Sequence, residues 1–122
     1  MSCLITQPNG ESVSIPQGSN NPLAIEFDDF DTSLAISISL WSNATGYSRK
    51  PLKVWKKDDI LFDGNTAICA LTEAETAAFP SSGSTWLEIK CLDENGYTVF
   101  FDQFSIRVEP RKDKGIKLTE DE

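Results

Sequence analysis

Four acidic residues crowd one short stretch, Glu26, Asp28, Asp29 and Asp31. Carboxylate oxygens at that density are the chemistry of a calcium site. The spacing argues against one, because no Asp/Asn series closed by a bidentate Glu is present. A solvated acidic loop is the plainer reading. Nineteen acids offer many carboxylate pairs for glycoside hydrolysis, and nothing in the sequence selects one. There is no histidine, which removes the usual general base, the proton shuttle and the commonest metal ligand together. No nucleophile–base pair can be named, so the expectation is a non-enzymatic protein with no catalytic, cofactor-binding or metal-binding residues and no cofactor.

The basic residues are more informative. Arg49, Lys50, Lys53, Lys56 and Lys57 sit close together in a chain whose formal net charge is −8. A basic patch on an acidic body can dock against its own copies or an acidic neighbour. Lysines on an exposed strand also serve as ordinary protection against edge pairing. Trp41 and Trp55 lie on the less apolar faces of their expected strands. Such aromatics can pack under a loop, anchor a protein interface or stack on a sugar. Candidate interface residues are therefore Arg49, Lys50, Lys53, Trp55, Lys57 and Trp41.

These side chains need a frame to hold them. The length of 122 residues suits one domain, and 39% hydrophobic residues suffice for one modest core. The acidic balance works against nucleic acid or anionic lipid as a partner. Three cysteines, Cys3, Cys69 and Cys91, are an odd number and do not suggest a disulfide framework. Cys69 and Cys91 read as small buried hydrophobes; a bridge between them stays open, with reduced thiols fitting better. Neither a signal-peptide pattern nor a membrane-spanning run is expected. The sequon Asn43-Ala44-Thr45 is idle without a secretory signal.

Period-two alternation marks the strands. Leu23, Ile25 and Phe27 share one face, as do Leu34, Ile36, Ile38 and Leu40. In the segment 51–57, Leu52 and Val54 are expected on one face and Lys53, Trp55 and Lys57 on the other. Ile60–Phe62 and Thr66–Leu71 are further strand candidates. Thr72-Glu73-Ala74-Glu75 reads as a capping box opening a short helical turn near residues 73–79, which Pro80 and Gly83 end quickly. Leu87, Ile89 and Cys91 point inward in the next strand. Asp93-Glu94-Asn95-Gly96 is a hairpin signal, and Phe104, Ile106 and Val108 keep one face of the returning strand. The consecutive Phe100 and Phe101 imply a bulge or two-sided burial near Asp102. About seven to eight strands with no long amphipathic helix describe an all-β antiparallel sandwich. Residues 1–12 form an arm or edge strand, 13–109 the sandwich, and 110–122 a charged, flexible tail.

The order of motifs from Pro16 to Val108 resembles a family of small Ig-like β-sandwich structural proteins of tailed phages and prophages. The N-terminal domain of the siphophage upper baseplate protein is an example. The resemblance rests on Ile15-Pro16-Gln17-Gly18, on Val54-Trp55-Lys56-Lys57-Asp58-Asp59, and on Leu71-Thr72-Glu73-Ala74-Glu75-Thr76-Ala77-Ala78-Phe79. Asp93-Glu94-Asn95-Gly96 and Phe104-Ser105-Ile106-Arg107-Val108 complete it. It covers roughly four-fifths of the chain. The family's Gly-Asp at the first strand is Gly18-Ser19 here, and no second domain is expected after the sandwich. The resemblance implies an Ig-like fold and a virion component, in baseplate, tail or head accessory position, assembled in a bacterial cytoplasm. Its implied partners are other virion proteins and its own copies, with neither nucleic acid nor membrane. The alternative is a carbohydrate-binding sandwich recognising a cell-surface glycan through Trp41, Trp55 or Trp86.

Overall fold

The computed structural model describes residues 14–44, 46 and 50–110, and the backbone at residues 3–6. Arg49 and the tail 111–122 lie outside the described residues. Nine strands are found among those described: β1 (Cys3–Thr6), β2 (Ser14–Pro16), β3 (Leu23–Phe27), β4 (Ala35–Ser42), β5 (Lys53–Lys56), β6 (Ile60–Asp63), β7 (Thr66–Cys69), β8 (Thr85–Leu92) and β9 (Thr98–Glu109). One short helix, α1 (Glu73–Ala77), joins β7 to β8, and a 3-10 turn at Lys57–Asp59 joins β5 to β6.

The strands form two sheets, ordered β1-β3-β7-β6 and β2-β9-β8-β4-β5. This is the Ig arrangement, with β5 as the extra strand that variable-type domains add beside the central sheet. The pairing is antiparallel except that β2 runs parallel to β9, with Ile15 beside Val108. The incoming chain therefore pairs with β3 at 3–6 and then crosses to the other sheet at 14–16. Pro16 is tolerated because β2 is an edge strand and needs no second ladder donor.

The core lies between the sheets. Leu23, Ile25 and Phe27 face Ile36, Ile38, Leu40, Leu87 and Ile89 across it, all buried. Burying each such side chain stabilises by roughly 1.5–3 kcal/mol before chain entropy is counted. Phe30 carries the β3–β4 loop onto this core: its ring lies 5.1 Å from Phe27 and stacks at 4.8 Å on Phe62. Cys69 and Cys91 are free thiols on different sheets. Burial pushes the Cys69 thiol up to about 12 and that of Cys91 up to about 11. They pack as small hydrophobes, unbonded.

Each fixed position of the Leu71–Phe79 motif has a structural task. Leu71 and Phe79 are buried in the core. Thr72 accepts from the Glu75 amide, and Glu75 accepts from the Thr72 amide, closing the capping box. Thr76 is fully buried. Its hydroxyl accepts from the Gly18 amide at 3.0 Å and donates to the Ser19 carbonyl at 2.7 Å. Gln17 donates to the Phe79 carbonyl at 2.7 Å. The helical turn thereby bolts the β2–β3 connection to the sandwich.

Two local expectations need correction. The bulge lies at Cys91/Leu92 opposite Val99, not near Asp102. From Phe100 to Val108 the strand alternates without a break, so Phe100 packs on the core, Phe101 points out and there is no two-sided burial. In β5 the faces are reversed. Trp55 pairs with inward-facing Ile38, and Val54 pairs with outward-facing Ser39. The larger indole takes the core side, and its Nε1 donates to the Ala70 carbonyl at 2.9 Å, so burial costs no orphaned donor.

Candidate protein interface

The six expected interface residues separate. Trp55 is 2% exposed and belongs to the core, so it is not a surface anchor. Lys53 pairs with Glu75 of α1 and lies 5.9 Å over the Trp55 ring. The Lys53 ammonium holds the Glu75 carboxyl below its usual range, against a smaller opposing effect of burial. Lys57 donates to the carbonyls of Thr32 and Leu34, closing the β3–β4 loop. Lys50 is exposed. Trp41 stays at the surface, half-buried on the outer face of the five-stranded sheet.

Directly opposite Trp41 in the sheet is Trp86. Trp41 Nε1 donates to Ser39 Oγ at 2.8 Å, and Trp86 Nε1 donates to Glu88 Oε2 at 3.0 Å. Both indoles are thus pinned along their own strands. The same outer face carries exposed Lys56, Lys90 and Arg107. It also exposes Val54 (37%) and Phe101 (51%). Lys90, Arg107 and Phe101 were not among the expected interface residues. Alternation places all three opposite the inward Ile89, Ile106 and Phe100, and that signal was sufficient to find them.

The acidic stretch resolves into separate duties. Asp31 accepts from the Ser33 amide and hydroxyl, a local turn that lowers its carboxyl below the usual range, side-chain bond first. Glu26 lies on the outer face of the four-stranded sheet, while Asp28 and Asp29 lie in the loop beyond β3. Among the described residues, no group of three His, Cys, Asp or Glu could hold a metal ion. No helix among them is long and apolar enough to cross a membrane.

Charge is sorted between the layers. Every described basic residue, Lys50, Lys53, Lys56, Lys57, Lys90 and Arg107, belongs to the five-stranded layer or to the segment flanking its β5 edge. The strands of the four-stranded layer contribute Glu26 and Asp63 and no described base. The arrangement suits protein–protein contact: the five-stranded face joins exposed apolar side chains to Lys56, Lys90 and Arg107, with Glu88 and Glu109 among them, while the described charges on the four-stranded face are acidic.

The fold and surfaces define an Ig-like β-sandwich. A scan against protein-family models finds no match to the chain, and comparison with curated proteins finds none either.

Proposed function

We propose that this chain is a non-enzymatic structural protein of a tailed phage or prophage virion, acting through protein–protein assembly in a baseplate, tail or head accessory position. The observation that carries the reading is the gathering of the described bases on the five-stranded layer and the segments flanking its β5 edge, beside exposed Phe101 and Val54. The ordered motifs between Pro16 and Val108 support it as well. Their residues serve packing, capping and turn formation. Its partners are other virion proteins and further copies of itself.

The test is peptide mass spectrometry of particles purified from an induced or infected culture. The chain is expected in the particle fraction at a fixed ratio to other structural proteins. Its absence from particles and from assembly intermediates would end the proposal.

One observation favours a second reading, a carbohydrate-binding module: the opposed Trp41 and Trp86 on an outer face. Trp55 no longer contributes to it. Binding on a glycan array that is lost in both Trp41→Ala and Trp86→Ala, with the fold intact, would move the assignment there.

A further inference from the structure

The two outer faces of the sandwich carry opposite charges in matching rows. On the five-stranded face, Lys56, Ser37 and Lys90 lie side by side across β5, β4 and β8. On the four-stranded face, Asp63, Thr66 and Glu26 lie side by side across β6, β7 and β3. Neighbouring strands are about 4.8 Å apart, so each row sets its two charges about 10 Å apart with a hydroxyl residue between them. All four charged side chains are exposed, and among the described residues none is in an ion pair. Each row has apolar company. Phe101 follows Lys90 in the first row, and Leu61, 67% exposed, pairs with Ile68 beside the second.

We infer that a second copy of this chain docks its four-stranded face on the five-stranded face of the first, bringing Asp63 and Glu26 against Lys56 and Lys90. A second copy is the occupant because one chain supplies both rows at the same spacing with opposite sign. A two-fold contact that lays either row on its own copy would set lysine against lysine or carboxylate against carboxylate, which is repulsive. The acids that share the lysine face, Glu88 and Glu109, already accept from Trp86 and Gln103 and from Ser14. The front-to-back contact uses different patches on the two partners, so it repeats into a ring or an open stack. It goes beyond the virion assignment and holds for the purified chain whatever particle it serves.

Sedimentation velocity of the full chain over a concentration series tests this. At low salt the native chain is expected to form species larger than the monomer. Raising salt to about 0.5 M should weaken that association, since exposed charges are then screened. Lys56→Glu with Lys90→Glu makes both faces acidic; Glu26→Lys with Asp63→Lys makes both basic. Each double variant alone should associate roughly ten-fold more weakly than the native chain. Mixed in equal amounts they should associate again, because each acidic face now meets a basic one. Circular dichroism confirms the fold, and should a double variant fail to fold, Lys90→Glu and Glu26→Lys are mixed in the same way.

A native chain that stays monomeric at every concentration overturns the inference. So does a variant that associates as well as the native chain, or a mixture that stays apart. A chain present in purified particles yet monomeric here keeps the assembly role and loses the stacking; a stacking chain absent from particles does the reverse.

Discussion

Replacing Thr76 with Val isolates the bolt between α1 and the β2–β3 connection. Valine keeps the volume and the β-branch, so little packing is lost in this fully buried position. What disappears is the hydroxyl that accepts from Gly18 and donates to Ser19, at 3.0 and 2.7 Å. The Gly18 amide and Ser19 carbonyl then lose their partner, at about 1–3 kcal/mol for each group left unsatisfied. Partial access of water to the half-buried Gly18–Ser19 segment reduces this, so about 2–4 kcal/mol is expected in total. Against a domain stability of about 5–15 kcal/mol, that is a large share. Thr76→Ser keeps the hydroxyl and loses a methyl, at about 1 kcal/mol. Urea unfolding followed by tryptophan fluorescence separates the two, because all three tryptophans remain. With a slope of about 1–3 kcal/mol/M, Thr76→Val should lower the midpoint by about 1–2 M and leave the slope unchanged. A Thr76→Val protein as stable as Thr76→Ser, or more so, would refute the claim that hydrogen bonds fasten this segment.

Trp55→Ala should destabilise by about 3–5 kcal/mol, as expected for a large core side chain. Trp41→Ala should cost about 1 kcal/mol; equal costs in chemical denaturation would contradict the assigned faces of β5. Glu75→Gln preserves the cap and removes the charge that Lys53 meets. Because the folded Glu75 carboxyl lies below its ordinary value of 4.5, the pair's stabilisation is full above that value and is lost as pH falls through the lowered one. The variant should therefore be less stable by about 0.5–1 kcal/mol at neutral pH. The two unfolding curves should converge in acid; a gap that widens in acid would contradict the sign. Cys69 and Cys91, buried and raised to about 12 and 11, should resist iodoacetamide in the native protein and react after unfolding, as read by peptide mass spectrometry. Rapid native labelling of either would place it outside the core.

Local physics made much of the fold legible. The strict alternation of Leu34 to Leu40 and of Leu87 to Cys91 follows from one buried and one wetter face, and β4 and β8 carry it. The capping box at Thr72 and Glu75 is a contact within four residues, so sequence shows it directly. The Asp93–Gly96 turn was legible as a hairpin, though not in its detail. Asp93 accepts from the Asn95 and Tyr97 amides, and Gly96 alone in the turn takes a positive φ, of 83°. That combination is a type I turn closed by a left-handed glycine, which splays less than a plain type I turn.

What stayed hidden depends on long-range pairing. In Lys53-Val54-Trp55-Lys56, apolar neighbours occupy opposite faces, and only the register with Ile38 decides between them. The parallel docking of β2 on β9 joins the two ends of the sandwich and leaves no local trace. The interface was legible only in part for the same reason. Lys57 and Lys53 looked available, yet carbonyls of the 32–34 segment and Glu75 engage them. Lys90 joins Lys56 in one row only once β4 is known to lie between their strands.

The assembly role meets its most direct test in negative-stain images of purified particles labelled with an antibody against this chain. Label repeated at one defined level of the particle, around a ring or along a tail, is the expected result. Particles that stay bare while the label remains with unassembled protein would contradict it.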